Sequence, residues 1–341
     1  MKRKLLCTFI AISAVVAIYA QHFTLRVQGG YAGPGFFKNE TVKGPVIDAF
    51  HPERDGLIFM ANRNFFKDSS TQIVYGSYGQ GMNFSLGFGY MFNPYIGIDM
   101  GLSYLKSDKI KSQERHEIVL NTFGGFYAYT GNYFDVNIST NAQNLSLMPS
   151  LVVRGAKPGW KVYPYGRFGI SLPVFGTLTH NINIDLEEGL ESDTNLLKTL
   201  VKEPFFLGQK TEVKLETEGT VSIGFNGAVG VAYQPLPYMN VFLELTGQYL
   251  VIRAKETKIT QWDTDGVSKL EERGKYRTEF IYTDELNKSS NNADYNPNYD
   301  KTKPKDDFRP TGPFNNLGFN IGVTFFLSKE TLKKKPKGAS N

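Results

Sequence analysis

Beyond position 7 the chain has no cysteine. A disulfide framework and a thiolate zinc site are both excluded for everything after that point. Histidine is scarce at four residues, and tryptophan scarcer at two. No apolar run after residue 20 approaches the roughly 20 residues that a membrane helix needs. Mean hydropathy is negative, so a bundle of membrane helices is excluded as well. The formal charge of +5 includes Lys2, Arg3 and Lys4, and without them the balance is near +2. No basic block of the kind that nucleic-acid binders carry is present, which excludes nucleic acid as a partner. What the 341 residues do contain is 34 Gly, 26 Phe and 19 Tyr. That bias points to β-structure with close strand contacts.

Residues 1–20 read as a signal peptide, with a basic start, an apolar stretch over 5–18 and a cleavage site at Ala20-Gln21. Cys7 sits near the start of the apolar stretch, whereas a lipoprotein carries its cysteine at the end. A retained N-terminal anchor is the competing reading.

The main signal downstream is alternation. Over residues 82–90 every even position is large and apolar, and every odd one is small or polar. The turn signal Asn93-Pro94 follows, and Ile96, Ile98, Met100, Leu102 and Tyr104 repeat the pattern. This is a hairpin with one greasy face and one small, polar face. Two further hairpins, 145–154 with 162–174 and 220–233 with 238–252, turn at Pro158-Gly159 and at Pro235-Leu236-Pro237. Single strands over 23–31 and 317–327 open and close the set, which makes eight.

The connections are unequal. Three are tight turns containing proline, while four are long, over 32–81, 106–143, 176–218 and 254–314. Short turns on one side and long polar loops on the other are the layout of an outer-membrane barrel. An eight-stranded barrel is only wide enough inside to be filled by side chains. Small and polar groups therefore belong inside and the greasy face belongs against lipid. Tyr90, Phe92, Tyr95, Tyr163, Tyr165, Tyr233 and Tyr238 fit an aromatic girdle near the short turns, with Tyr104 and Tyr249 toward the loops. A soluble β-sandwich with an aromatic core is the alternative.

On these strands and turns the chain resembles the small outer-membrane barrels of the OmpA-transmembrane-domain, OmpX and OmpW type of Gram-negative bacteria. The resemblance is one of pattern and covers about a third of the chain. The closing strand carries Phe319, Ile321, Val323 and Phe325, which look like the insertion signal that such barrels present to the barrel assembly machinery. The resemblance implies contact with outer-membrane lipid and lipopolysaccharide. It also implies an extracellular ligand or protein at the loops as a further partner. The family usually stops at the terminal aromatic, unless another domain follows. Here the chain continues through Lys329, Lys333, Lys334, Lys335 and Lys337. Residues 329–341 are too short for a peptidoglycan-binding domain and read as a solvated periplasmic tail.

Strand parity turns Arg26, Asp99, Arg154, Arg167 and Glu244 into the lumen. Charges buried there must pair, because each costs several kcal/mol otherwise. They form either an ion-pair plug or a gate for small solutes. His180, near Thr177, Thr179 and Asp185, stands where barrel enzymes that modify lipid A keep their histidine, but no spacing identifies a triad. Residues 261–272 partly mimic a calcium loop, although Gln261 and Lys269 occupy ligand positions. Its Thr-Asp-Gly also reads as a hairpin turn. An apolar stripe over 185–202 and the apolar residues of 45–66 read as covers for the barrel mouth, and 287–309 reads as mobile.

The expectation is therefore an all-β protein: an eight-stranded antiparallel transmembrane β-barrel over 21–328 with four long extracellular loops. Ten strands is the alternative if Glu117 to Tyr129 or part of the first loop forms another hairpin in the membrane. No catalytic, cofactor-binding or metal residues are assigned, and no cofactor is implied. The expected function is non-enzymatic action through the loops, in surface interaction or envelope integrity. A narrow channel or transporter for small or hydrophobic molecules is the alternative, and a lipid-modifying enzyme the third.

Overall fold

A computed structural model describes residues 23–34, 66–71, 77–121, 127–155, 160–186 and 210–327. The signal segment, the lysine-rich tail, most of the first loop and most of the apolar stripe of the third loop lie outside those residues. Sixteen strands are described. In chain order they begin with β1 Phe23–Pro34, β2 Phe66–Thr71, β3 Gly81–Met91, β4 Ile96–Ser107, β5 Ile110–Asn121 and β6 Tyr127–Arg154. Then come β7 Val162–Leu186, β8 Lys210–Gly219, β9 Gly224–Leu236, β10 Met239–Tyr249 and β11 Val251–Thr264. The last are β12 Val267–Ser268, β13 Glu279–Thr283, β14 Lys305–Phe308, β15 Thr311–Pro313 and β16 Asn316–Leu327. A single helical turn, α1 Lys275–Thr278, precedes β13.

Strands β1, β3, β4, β6, β7, β9, β10 and β16 pair antiparallel in that order, and β16 pairs back onto β1. The ring is closed with eight strands. Alternation builds it. In β3 the small residues Ser85, Gly87 and Gly89 are buried in the lumen, while Phe84, Leu86 and Phe88 face outward. Ile96, Ile98, Met100 and Leu102 of β4 and Phe319 and Ile321 of β16 continue the outward apolar belt. A belt of this kind is stable only against lipid. At the β3–β4 turn the Asn93 carboxamide oxygen accepts from the amides of Tyr95 and Ile96, both at 2.8 Å. That closes the turn locally.

The four long connections are not all loops. β6 has 28 residues and β7 has 25, whereas a membrane strand needs roughly 9–11. Their upper halves leave the membrane and continue as sheet. β5 and β2 add to one side of this extension, and β8, β11, β13 and β14 add to the other. The further hairpin of the ten-strand alternative thus exists as β5–β6, but it pairs above the ring and does not widen it. The inner face of the extension is apolar, with Ile138, Ile182, Ile184, Val213, Leu215, Ile259 and Trp262 buried. Lys210, Glu212, Lys214 and Glu216 alternate with them on the outer face of β8. Residues 287–309, expected to be mobile, close on themselves instead. Asn291 Nδ2 donates to the carbonyls of Asp300 at 3.0 Å and Pro304 at 2.7 Å, and Asn292 Nδ2 donates to that of Asp306 at 2.8 Å. Asn-rich composition here supplies side-chain-to-backbone closure.

Candidate functional site

The lumen is filled in three layers. Nearest the short turns, Arg26 Nη2 lies 2.6 Å from Asp99 Oδ2. Arg167 lies 3.7 Å from the same oxygen through Nη1 and 2.5 Å from Glu244 Oε1 through Nη2. Tyr165 Oη donates to Glu244 Oε2 at 2.7 Å, Asn320 Nδ2 donates to Oε1 at 3.2 Å, and Gln28 Oε1 accepts from Arg26 and Arg167. The four charged residues come from β1, β4, β7 and β10 and meet at one height because the barrel stagger aligns those rows. Arg154 is not brought into the cluster. Its guanidinium lies over the Phe326 ring, 5.2 Å from the centroid, and makes no ion pair among the described residues.

Three members of the layer escaped the sequence reading. Tyr165 and its neighbour Tyr163 were expected in the aromatic girdle, yet both side chains turn into the lumen. Tyr163 is buried and takes a hydrogen bond from Asn240. They share parity with Arg167, and that signal overrides their position near a turn. Gln28 and Asn320 carry no charge, but they have lumen parity as well. The glycines opposite matter too. A Cβ on Gly87 would stand 2.7 Å from Arg26 Nη2 and 2.8 Å from Asp99 Oδ1.

The middle layer is neutral. Gln248 Nε2 donates to Ser171 Oγ at 2.8 Å, Asn316 Nδ2 donates to Gln248 Oε1 at 3.1 Å, and Ser150 Oγ donates to Asn226 Oδ1 at 3.3 Å. The upper layer is apolar and closes the mouth with Tyr78, Leu105, Ala142, Leu250, Ile252 and Phe314. The Tyr78 and Phe314 rings sit 5.7 Å apart, and the Tyr78 amide donates to the Pro313 carbonyl at 2.9 Å. Burial there pushes the Tyr78 phenol pKa up.

His180 is fully buried on the inner face of the extension, with Nδ1 2.8 Å from Thr140 Oγ1. Thr177, Thr179 and Asp185 have the opposite parity and face outward, so the expected neighbours are not brought together. Burial lowers the His180 pKa to about 4. Residues 263–268 form the β11–β12 hairpin with Asp265 and Gly266 at positive φ. The would-be calcium ligands are engaged elsewhere: Asp265 Oδ1 accepts from the Lys210 amide at 2.9 Å, and Glu272 pairs with Lys269 at 2.9 Å. No group of metal-ligating side chains occurs among the described residues. Phe319, Ile321 and Phe325 face outward on β16.

Solved structures of outer-membrane proteins are similar to this chain. Neisserial surface protein A is 9% identical, with 89% of this chain and 96% of that one covered at a TM-score of 0.28. A major outer membrane protein from Thermus thermophilus is 11% identical, with 89% and 98% covered at 0.35. The outer membrane protein W of E. coli is 12% identical, with 90% and 98% covered at 0.28. No curated protein sequence matches the chain. The family model for the outer membrane protein beta-barrel domain matches residues 5–265. The chain belongs to that family and is an eight-stranded β-barrel of the outer membrane.

Proposed function

We propose that this barrel is a closed scaffold that acts through its extracellular sheet, in surface interaction or envelope integrity, without catalysis. The observation that carries this reading is the double closure of the lumen. The Arg26–Asp99–Arg167–Glu244 cluster serves as a plug near the short turns, and the apolar layer of Tyr78, Leu250 and Phe314 seals the mouth. A lumen filled in this way conducts poorly, while β8 and β11 place a charged outer face above the membrane. Scaffolded extracellular elements of this kind are where binding residues concentrate. Lipopolysaccharide around the belt, the barrel assembly machinery at the closing strand, and an extracellular ligand or protein at the extension are the partners this reading assigns.

The test replaces residues 110–140 with a short turn joining β4 to β6. Outer-membrane vesicles carrying the full chain or the trimmed chain are compared for adhesion to an epithelial monolayer and for resistance to bile salt. The reading expects the trimmed barrel to fold and to lose one of the two properties. Unchanged adhesion and unchanged resistance would contradict it.

One observation favours a second reading, a narrow route for small apolar molecules. The ladder on β7 switches from β9 at Ser171 to β8 at Thr177 and is interrupted between them. Val174, Phe175, Val221 and Ile223 are exposed around the interruption. Behind it lies a cavity of about 70 Å³ lined by Leu178, Ile252, Ala254 and Phe314. Uptake of an apolar dye by vesicles, abolished by Ala254→Trp, would move this reading ahead of the first. Equal uptake by wild type and variant would remove it.

A further inference from the structure

The short-turn end of the lumen holds a cavity of about 40 Å³ whose walls include Arg26, Arg154, Arg167, Tyr163 and Asn240, with Asp99 as the one carboxylate among them. The guanidinium groups reach it from three strands, β1, β6 and β7. The carboxylates within reach are two, Asp99 and Glu244. Arg26 and Arg167 use both of these, Asp99 being shared between them. Arg154 makes no ion pair among the described residues, so one positive charge of the three stands uncompensated. The hydrogen bonds show the same imbalance. Arg26 Nε and Arg167 Nε are buried without an acceptor, and the Arg26 side chain is only 7% exposed. A buried donor without an acceptor is costly, and the half-buried Arg154 adds a positive charge with no counter-charge among the described residues. Both are relieved by one group: an anion that accepts hydrogen bonds.

We propose that this cavity binds a small inorganic anion of chloride size, held by Arg154 together with Arg26 and Arg167. Size sets the class. About 10–15 Å³ of such space holds one water molecule, so this cavity has room for a monatomic anion with its residual hydration. Position sets the access, since the cavity lies below the Arg167–Glu244 pair and faces the short turns. Guanidinium supplies charge-assisted donors that stay protonated at any physiological pH. The site does not depend on what the extracellular sheet contacts.

Two measurements test it on the refolded full chain in non-ionic detergent. Crystals soaked in sodium bromide are expected to give an anomalous peak within hydrogen-bond reach of the Arg154 guanidinium, lost in R154Q. A peak confined to the outer surface is an adventitious ion only and overturns the proposal, as does a lumen peak that R154Q retains. On wild-type protein alone, thermal unfolding followed by circular dichroism compares sodium chloride with sodium gluconate at equal ionic strength. Gluconate is too large for the cavity. The proposal expects a midpoint about 2–5 °C higher in chloride, and equal midpoints overturn it.

Discussion

Arg167 Nη2 and Glu244 Oε1 lie 2.5 Å apart although their strands, β7 and β10, are not neighbours. Strand β9 runs between them, and Gly230 is the residue it presents to both Tyr165 and Glu244. A Cβ on Gly230 would fall 2.9 Å from Glu244 Cβ and from Tyr165 Cε1. The missing side chain is what lets groups from the two flanking strands meet. Glu244→Gln should therefore strand the buried Arg167 charge and destabilise the barrel by about 3–5 kcal/mol. Urea unfolding in lipid vesicles measures this. The double variant Glu244→Gln with Arg167→Met should recover most of the loss, because the cluster then keeps only the balanced Arg26–Asp99 pair.

Gly87 has the same role on β3. Gly87→Ala should push Arg26 or Asp99 out of place and cost about 1–3 kcal/mol. Gly33→Ala is the control. The nearest atom to a Cβ there is the Leu317 carbonyl oxygen at 3.7 Å, so its effect should stay within about 0.5 kcal/mol. Equal losses in the two variants would refute the steric argument.

The ring of eight strands was legible because its alternation is uninterrupted, as in residues 82–90 and 96–104. The extension was not legible. Its apolar positions, such as Ile138, Ile182 and Val213, are separated by Asn, Ser, Thr and Lys, which read as loop. Long strands also conflict with the expectation that a barrel strand ends at the membrane surface. The charged members of the lumen layer could be named from parity, whereas Gln28, Tyr165 and Asn320 could not be found by looking for charge. Arg154 has the right parity but stands too near its turn to reach Asp99. Parity gives a face, and reaching a partner also requires height along the barrel.

His180 makes the extension sensitive to acid. Its folded pKa is about 4 against an ordinary 6.5. The unfolded segment therefore takes up a proton between those values and the folded one does not. Stability of the extension should fall as pH drops from about 6.5 to about 4 and level off below that, a loss of about 3 kcal/mol. Trp262 is buried in β11, so its fluorescence in a Trp160→Phe background reports the urea midpoint. His180→Leu should flatten the slope. A slope unchanged in that variant would assign it to another group.

Leu250 is fully buried in the mouth layer, where its amide donates to Asn315 Oδ1 at 2.9 Å. Leu250→Ala should cost about 2–5 kcal/mol through the cavity it leaves, measured by urea unfolding. It should leave the barrel non-conducting, because the ion-pair layer below is untouched. Conduction in this single variant would show that the apolar layer alone closes the lumen.

The most direct test of a closed scaffold is single-channel recording of the refolded full chain in a planar bilayer, wild type beside Glu244→Ala. Two independent layers predict a silent wild type and a silent variant, since the apolar mouth remains in both. Discrete openings in the wild type that change size or frequency in Glu244→Ala would contradict the account and make the Arg26–Asp99–Arg167–Glu244 cluster a gate.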